Sequence, residues 1–165
     1  MITVRQGVFE TNSSSTHAII IAREGTKPMD DVCFSIGEYG WELETYYGPD
    51  SKASYFYTLA CECLQRDVAD DITQLLAPYG IECRFVKKPV FVSYSDGSGQ
   101  YLDNGYVDHC AEGLDLVEDC LKDASLLIDL IFNNESYIET GNDNDDEPVG
   151  CDHPSCKYDE YYKGN

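Results

Sequence analysis

The fold is best indicated by the apolar run His17-Ala18-Ile19-Ile20-Ile21-Ala22-Arg23. Its β-branched and apolar residues favour a buried strand. A second strand is predicted over Val32-Cys33-Phe34-Ser35-Ile36, and a short one near Ile2 to Val4. The glycines that follow Ile36 mark turns. The first part of the chain is therefore predicted to consist of strands joined by turns.

Apolar residues at helical spacing predict four helices further along the chain. One follows Asp50-Ser51, which is a plausible helix cap, and another runs from Val68 to Pro78. Two more are predicted at 112–123 and 124–132. Strands are predicted at 81–86, 90–94, 101–107 and 137–140, with a hairpin turn at Asp96-Gly97-Ser98-Gly99.

This order of elements predicts an α+β fold, a single domain with a largely antiparallel sheet and about four helices. Composition changes at Gly141, where an acidic, polar segment begins. We therefore divide the chain into an α+β core at 1–140 and a C-terminal segment at 141–165. The second part contains an acidic loop followed by cysteines and a histidine.

The chain is strongly acidic, with 31 Asp and Glu against 11 Lys and Arg and a formal charge of −20. Such a charge repels nucleic acid phosphates and attracts basic protein surfaces. The alternative is that the charge only confers solubility. The start lacks a signal-peptide pattern and no stretch has transmembrane length, so we expect a cytoplasmic protein with reduced thiols.

A cluster of metal-ligand residue types lies in the C-terminal segment, at Cys151-Asp152-His153-Pro154-Ser155-Cys156. Thiolate and imidazole are the donors that zinc prefers, and a structural site needs four of them. We predict a structural zinc bound by Cys151, His153 and Cys156, with His109 or Cys110 completing the site. The zinc would fix the C-terminal segment to the core, because this segment has few apolar side chains whose burial could order it. The alternative is that Cys151 and Cys156 are solvated thiols.

The hydroxyl-rich run Thr11-Asn12-Ser13-Ser14-Ser15-Thr16-His17 has two interpretations. A hydrolase or transferase could use one serine as a nucleophile activated by His17, with Glu10, Glu42, Asp108 and His109 as possible neighbours. A structural role is favoured, because hydroxyls can satisfy the backbone of a tight loop and no nucleophile elbow is present. No catalytic residue is therefore assigned.

The acidic loop contains Asp143, Asp145, Asp146 and Glu147, the first candidates for contacts to a basic partner. Neutralising them is expected to slow association more than it speeds dissociation. Tyrosines among acidic residues, such as Tyr46 and Tyr47, are further candidates because exposed tyrosine favours interfaces.

Four sequence blocks resemble those of small proteins of bacteria, phages and prophages. The first is Arg5-x-Gly7-x-Phe9-Glu10-Thr11-Asn12-Ser13-Ser14-Ser15-Thr16-His17. The later blocks are Gly37-Glu38-Tyr39-Gly40-Trp41-Glu42, Gly105-Tyr106-Val107-Asp108-His109 and Thr140-Gly141-Asn142-Asp143-Asn144-Asp145. In size and charge the chain is also similar to anti-CRISPR proteins, especially the type II inhibitors, one of which contains zinc.

That resemblance implies a non-enzymatic inhibitor that helps a mobile element evade host defence. The implied partner is a basic surface of an RNA-guided CRISPR nuclease, and the implied effect is a block of target DNA loading. The channel of such a nuclease is basic because it holds a heteroduplex by its backbone. The cysteine cluster at 151–156 lies outside the shared blocks, so a metal there would be particular to this chain.

Overall fold

The computed structural model describes residues 15–40, 42–108, 113–142 and 158–163, with residues 15, 16, 142 and 158–163 described by their backbone alone. The strands are β1 (Ser15–Ala22), β2 (Asp31–Ser35), β3 (Glu38–Tyr39), β4 (Glu44–Tyr46), β5 (Glu82–Lys87), β6 (Phe91–Ser93), β7 (Gln100–Leu102), β8 (Tyr106–Val107), β9 (Tyr137–Asn142) and β10 (Tyr158–Lys163). The helices are α1 (Pro49–Leu64), α2 (Ala69–Leu76), α3 (Leu114–Lys122) and α4 (Ala124–Phe132). None of these helices is long and apolar enough to cross a membrane.

An antiparallel four-stranded sheet, in the order β10-β1-β9-β4, contains the strand predicted from the isoleucine run. Every residue from Ala18 to Ala22 is buried, which confirms that prediction. Strand β9 continues to Asn142, two residues beyond the predicted end, because Gly141 and Asn142 pair with β1. Strand β10 pairs with the other edge of β1, so part of the C-terminal segment adds a strand to the core sheet.

Three smaller two-stranded ladders complete the described β structure. Strands β2 and β5 pair in parallel, as do β3 and β8, whereas β6 and β7 form the predicted antiparallel hairpin. The α+β fold with four helices is confirmed in the described residues, and its main sheet is antiparallel as predicted.

Helix α1 begins at Pro49, one residue before Asp50 of the predicted cap. Gly48 is the N-cap and Pro49 occupies the first turn, where its missing N–H costs nothing. Asp50 lies inside that turn, and its carboxylate accepts the N–H of Cys33 at 2.9 Å instead of capping the helix. Cys61 of α1 is fully buried in the core, and Cys63 is partly buried and packs against it.

A buried polar network joins α1 to the end of α4 and the start of β9. The Lys52 ammonium donates to the carbonyl oxygens of Asn133 and Ser136 at 2.7 and 2.8 Å. The Ser136 hydroxyl donates to the carbonyl of Asp129 and accepts the N–H of Ala22. Burial lowers the pKa of Lys52 to about 8. Satisfied buried networks of this kind fix the relative position of the elements they join.

Candidate functional site

An acidic cavity of about 220 Å³ opens where β3, β4, β8 and β9 meet. Its lining residues are Glu38, Gly40, Glu42, Glu44, Tyr46, Tyr106 and Thr140, and this set is called the acidic pocket below. The three glutamates are exposed, the Tyr46 ring is half-buried, and Thr140 is buried. Carboxylates therefore line a concave surface that includes tyrosine rings and has a hydroxyl-bearing residue at its buried side.

One wall of the acidic pocket is formed by the short parallel pair of β3 and β8. The register places Glu38 beside Tyr106. The two segments approach closely, since a Cβ atom on Gly105 would lie 2.4 Å from the carbonyl oxygen of Gly37. The sequence signal for this wall is therefore a pair of glycines, each immediately before its strand.

The opposite wall is positioned by pairing between β4 and β9. Glu44 pairs with Thr140, whose hydroxyl donates to the carbonyl oxygen of Glu42 at 2.8 Å. The Tyr46 hydroxyl donates a short hydrogen bond to the Glu44 carboxylate. One threonine on β9 thus holds the backbone next to two of the three pocket carboxylates.

Tyrosine rings support the acidic pocket from the core side. Tyr55 lies under Tyr39 and Tyr46, with ring centroids 5.0 and 6.3 Å apart. Burial and the nearby Glu44 carboxylate raise the pKa of Tyr39 to about 12. Burial and the bond to Glu44 also raise the pKa of Tyr46. Both hydroxyls therefore remain protonated at neutral pH and add no negative charge.

His17, the candidate base of the hydroxyl-rich run, is buried with 1% of its surface exposed. Its Nδ1 lies 2.7 Å from the Tyr55 hydroxyl, so it contacts the underside of the same tyrosine group. Its strand position pairs with Thr140. A catalytic base must reach a substrate, and this imidazole lies within the core.

Of the residues proposed to converge with His17, two approach the acidic pocket. Glu42 lines it. The N–H of Asp108 donates to the carbonyl of Tyr39 at 2.9 Å, and its Cβ lies 2.7 Å from where a Cβ on Gly40 would stand. Glu10 and His109 lie outside the described residues, as do Ser13 and Ser14.

All five predicted zinc ligands, Cys151, His153, Cys156, His109 and Cys110, lie outside the described residues. Within the part of the chain that is described, no group of three or more His, Cys, Asp or Glu side chains could hold a metal ion. The zinc site remains a prediction.

The acidic-loop residues Asp143, Asp145, Asp146 and Glu147 also lie outside the described residues. Sequence reasoning missed Glu38, Glu44 and Tyr106 as site residues. Glu38 and Tyr106 lie on two-residue strands and Glu44 on a three-residue strand, too short for a periodic pattern.

No protein-family model matches the chain, and neither a curated protein nor a solved structure matches it.

Proposed function

We propose that this protein binds a basic protein surface and receives a lysine or arginine side chain in the acidic pocket. The observation that carries the proposal is the convergence of Glu38, Glu42 and Glu44 around one small cavity. With a volume of about 220 Å³ the cavity is smaller than typical sites for drug-sized ligands. It has room for the end of one side chain.

The chemistry of the walls fits an organic cation. Carboxylates accept charge-assisted hydrogen bonds from guanidinium and ammonium groups, and arginine forms such bonds in pairs. The rings of Tyr46 and Tyr106 can attract the same cation through their electron-rich faces. The formal charge of −20 would add long-range attraction and faster encounter.

Parts of all four sequence blocks that resemble proteins of phages and prophages lie around the acidic pocket. Glu38 and Glu42 belong to the second block, and Tyr106 to the third. Thr140 opens the fourth block and pairs with His17, which closes the first. This arrangement supports a shared binding role for residues that are far apart in the sequence.

The specific partner we propose is an RNA-guided CRISPR nuclease in the cytoplasm of a bacterial host. The protein would then be an anti-CRISPR inhibitor that occupies a basic surface and blocks target DNA loading. The support is the chain's acidity together with the basic channel that such nucleases need for a heteroduplex. The acidic loop at 143–147 would extend the contact beyond the pocket.

Dose response tests this function. Increasing amounts of the protein are added to a purified type II nuclease with its guide, and cleavage of target DNA is measured. We expect inhibition to saturate near one molecule of the protein per molecule of nuclease, and to weaken as the salt concentration rises. Full inhibition at a small fraction of one equivalent would indicate an enzyme, such as a hydrolase or transferase using the hydroxyl-rich loop. No inhibition at low salt would exclude this nuclease as the partner.

A further inference from the structure

A solvent-facing apolar patch lies on the hairpin of β6 and β7. The register pairs Val92 with Tyr101 and Phe91 with Leu102, and successive strand residues face opposite sides. Leu102 is buried and Phe91 packs against the core, whereas Val92 and Tyr101 are 38% and 40% exposed. The hairpin patch consists of Val90, Val92, Tyr94 and Tyr101.

Hydrogen bonds hold the hairpin patch in place at its base, where the hairpin joins the body. The Asn104 side chain accepts the N–H of Val90 and donates to the carbonyl of Lys88, both at 2.9 Å. Near the tip, the N–H of Tyr94 donates to the carbonyl of Gly99 at 2.9 Å. A surface that is already ordered loses little entropy on binding.

The aromatic content of the hairpin patch also favours an interface. The rings of Tyr94 and Tyr101 lie 5.2 Å apart, and Tyr94 is 47% exposed. Rigid exposed tyrosines supply a large contact area at low entropic cost. Exposed apolar residues that cluster on one face indicate a contact site more strongly than single ones do.

The hairpin carries positive charge at its base and negative charge at its tip, so two copies laid head to tail would bring opposite charges together. The base carries Lys87, Lys88 and Asp103, two positive charges against one negative, and the tip carries Asp96. The Lys87 ammonium donates to the carbonyl of Asn104 at 2.7 Å, and neither lysine takes part in the ion pairs of Arg23, Arg66, Arg84 and Lys122. Two chains of charge −20 repel each other, so copies would meet where the local charge is least negative.

We propose that two copies of this chain associate face to face through the hairpin patch. The two-fold axis would run across the strands, so that the base of each hairpin lies over the tip of the other. Lys87 and Lys88 of each copy then approach Asp96 of the other, while apolar side chains meet at the centre. Such an isologous contact is closed and does not propagate into a filament.

The response of this contact to salt differs from that of the acidic pocket. Salt screens the repulsion between two −20 chains, so self-association strengthens as salt rises. Binding of a basic partner weakens under the same change. The hairpin patch is small, so the dimer belongs with weak, transient interfaces.

Sedimentation equilibrium of the full chain at about 0.05 M and about 0.5 M salt, over rising protein concentration, tests the proposal. We expect the mass to move from 18.5 kDa toward twice that value, and to do so further at the higher salt. The Val92→Asp variant places two like charges near the axis and is expected to weaken association at least about tenfold. The control Tyr79→Asp changes an exposed tyrosine outside the hairpin patch and should associate as the wild type does.

Lys88→Glu is a second variant that makes no change in the core, because Lys88 is exposed. It should also weaken association while leaving the circular dichroism spectrum unchanged. A protein that stays monomeric at both salts up to about 1 mM would overturn the proposal. Equal association of Val92→Asp and Tyr79→Asp would also overturn it. So would a chain that remains monomeric while a different protein occupies its hairpin patch.

Discussion

The Tyr55 hydroxyl lies 2.7 Å from Nδ1 of His17, and both side chains are buried. A hydrogen bond in a low-dielectric core is electrostatically strong and fixes the rings that form it. Tyr55 in turn packs against Tyr39 and against Tyr46, which lines the acidic pocket. His17 is therefore connected to the acidic pocket through a chain of packed tyrosine rings.

Replacing Tyr55 by phenylalanine keeps the ring and removes this hydrogen bond. We expect the free energy of unfolding to fall by about 1–2 kcal/mol, because a buried imidazole nitrogen loses a partner. Urea denaturation measures this loss. The control Tyr79→Phe changes a hydroxyl on a ring that is 54% exposed and should leave stability unchanged. Equal effects of the two substitutions would contradict a structural role for the His17 contact.

Helix α1 lies along the outer edge of β2 and closes it. Side-chain oxygens of residues four apart on α1 accept the backbone N–H groups of residues two apart on the extended chain. The two sets match because four residues of a helix and two residues of a strand both span about 6 Å. The pairs are Cys33 with Asp50, Ser35 with Ser54 and Gly37 with Thr58, at 2.9, 3.1 and 3.1 Å. Capped edges cannot pair with another chain.

Ser54→Ala tests this edge. It leaves the N–H of Ser35 without its acceptor, so we expect a loss of about 1–2 kcal/mol in the free energy of unfolding. Ser51→Ala is the matched control, because Ser51 is on the same helix and bonds only the carbonyl of Gly48. Thermal denaturation of both variants separates the two cases; a loss confined to Ser51→Ala would refute the capping role.

Buried titratable groups predict a stability maximum near pH 9. Burial lowers the pKa of Lys52 to about 8, so the folded state releases a proton before the unfolded state and stability rises above pH 8. Burial raises the pKa of Cys61 to about 12 and also raises that of Cys120. Their stabilising contribution is complete below about pH 9, the usual thiol value, and is lost as pH rises further.

Denaturation curves between pH 7 and pH 11 measure this profile. The two thiols outweigh the single lysine above about pH 9, and Tyr39 adds to the loss above about pH 10. Lys52→Met should remove the rise between pH 8 and pH 9 and keep the alkaline fall. Stability that climbs steadily to pH 11 would contradict the assigned shifts.

The zinc prediction concerns residues beyond those described. We expect one tightly held zinc per chain, measured by elemental analysis of protein purified without a histidine tag. Cys151→Ser and Cys156→Ser should each release the metal and leave the core folded, because a structural zinc site depends on all its ligands. Substoichiometric zinc in the unmodified protein would refute the site. Retention of zinc by both variants would place it elsewhere.

Long periodic segments of the fold could be predicted from the sequence, and short or edge-dependent ones could not. The isoleucine run of β1 and the four helices carry enough apolar residues to show their period. Strand β10 has the polar sequence Tyr158-Asp159-Glu160-Tyr161-Tyr162-Lys163, and its pairing depends on a free edge of β1. The parallel ladders join residues about fifty or more positions apart, which no local pattern reveals.

The same reason limited prediction of the site. Net charge alone indicates a basic partner, and the sequence offers Glu42 only as a possible neighbour of His17. The grouping of Glu38, Glu44 and Tyr106 depends on the pairing of β3 with β8 and of β4 with β9. Charge is a property of composition, whereas a pocket is a property of tertiary pairing.

The central claim is that the acidic pocket binds a cationic side chain, and a matched pair of variants tests it. The pocket variant carries Glu38→Gln, Glu42→Gln and Glu44→Gln. The control variant carries Glu24→Gln, Glu82→Gln and Glu118→Gln, which are exposed positions outside the pocket. Each set changes the formal charge by three, from −20 to −17, so the two variants differ only in where the charge is lost.

The deciding measurement is a nuclear magnetic resonance titration of each protein with acetyl-arginine amide at low salt. We predict saturable shifts of the Glu44, Tyr46 and Thr140 amides, with a dissociation constant on the order of 1 mM, in the wild type and in the control variant. These shifts should be absent from the pocket variant. Equal shifts in both variants, or shifts spread evenly over the acidic surface, would contradict the claim.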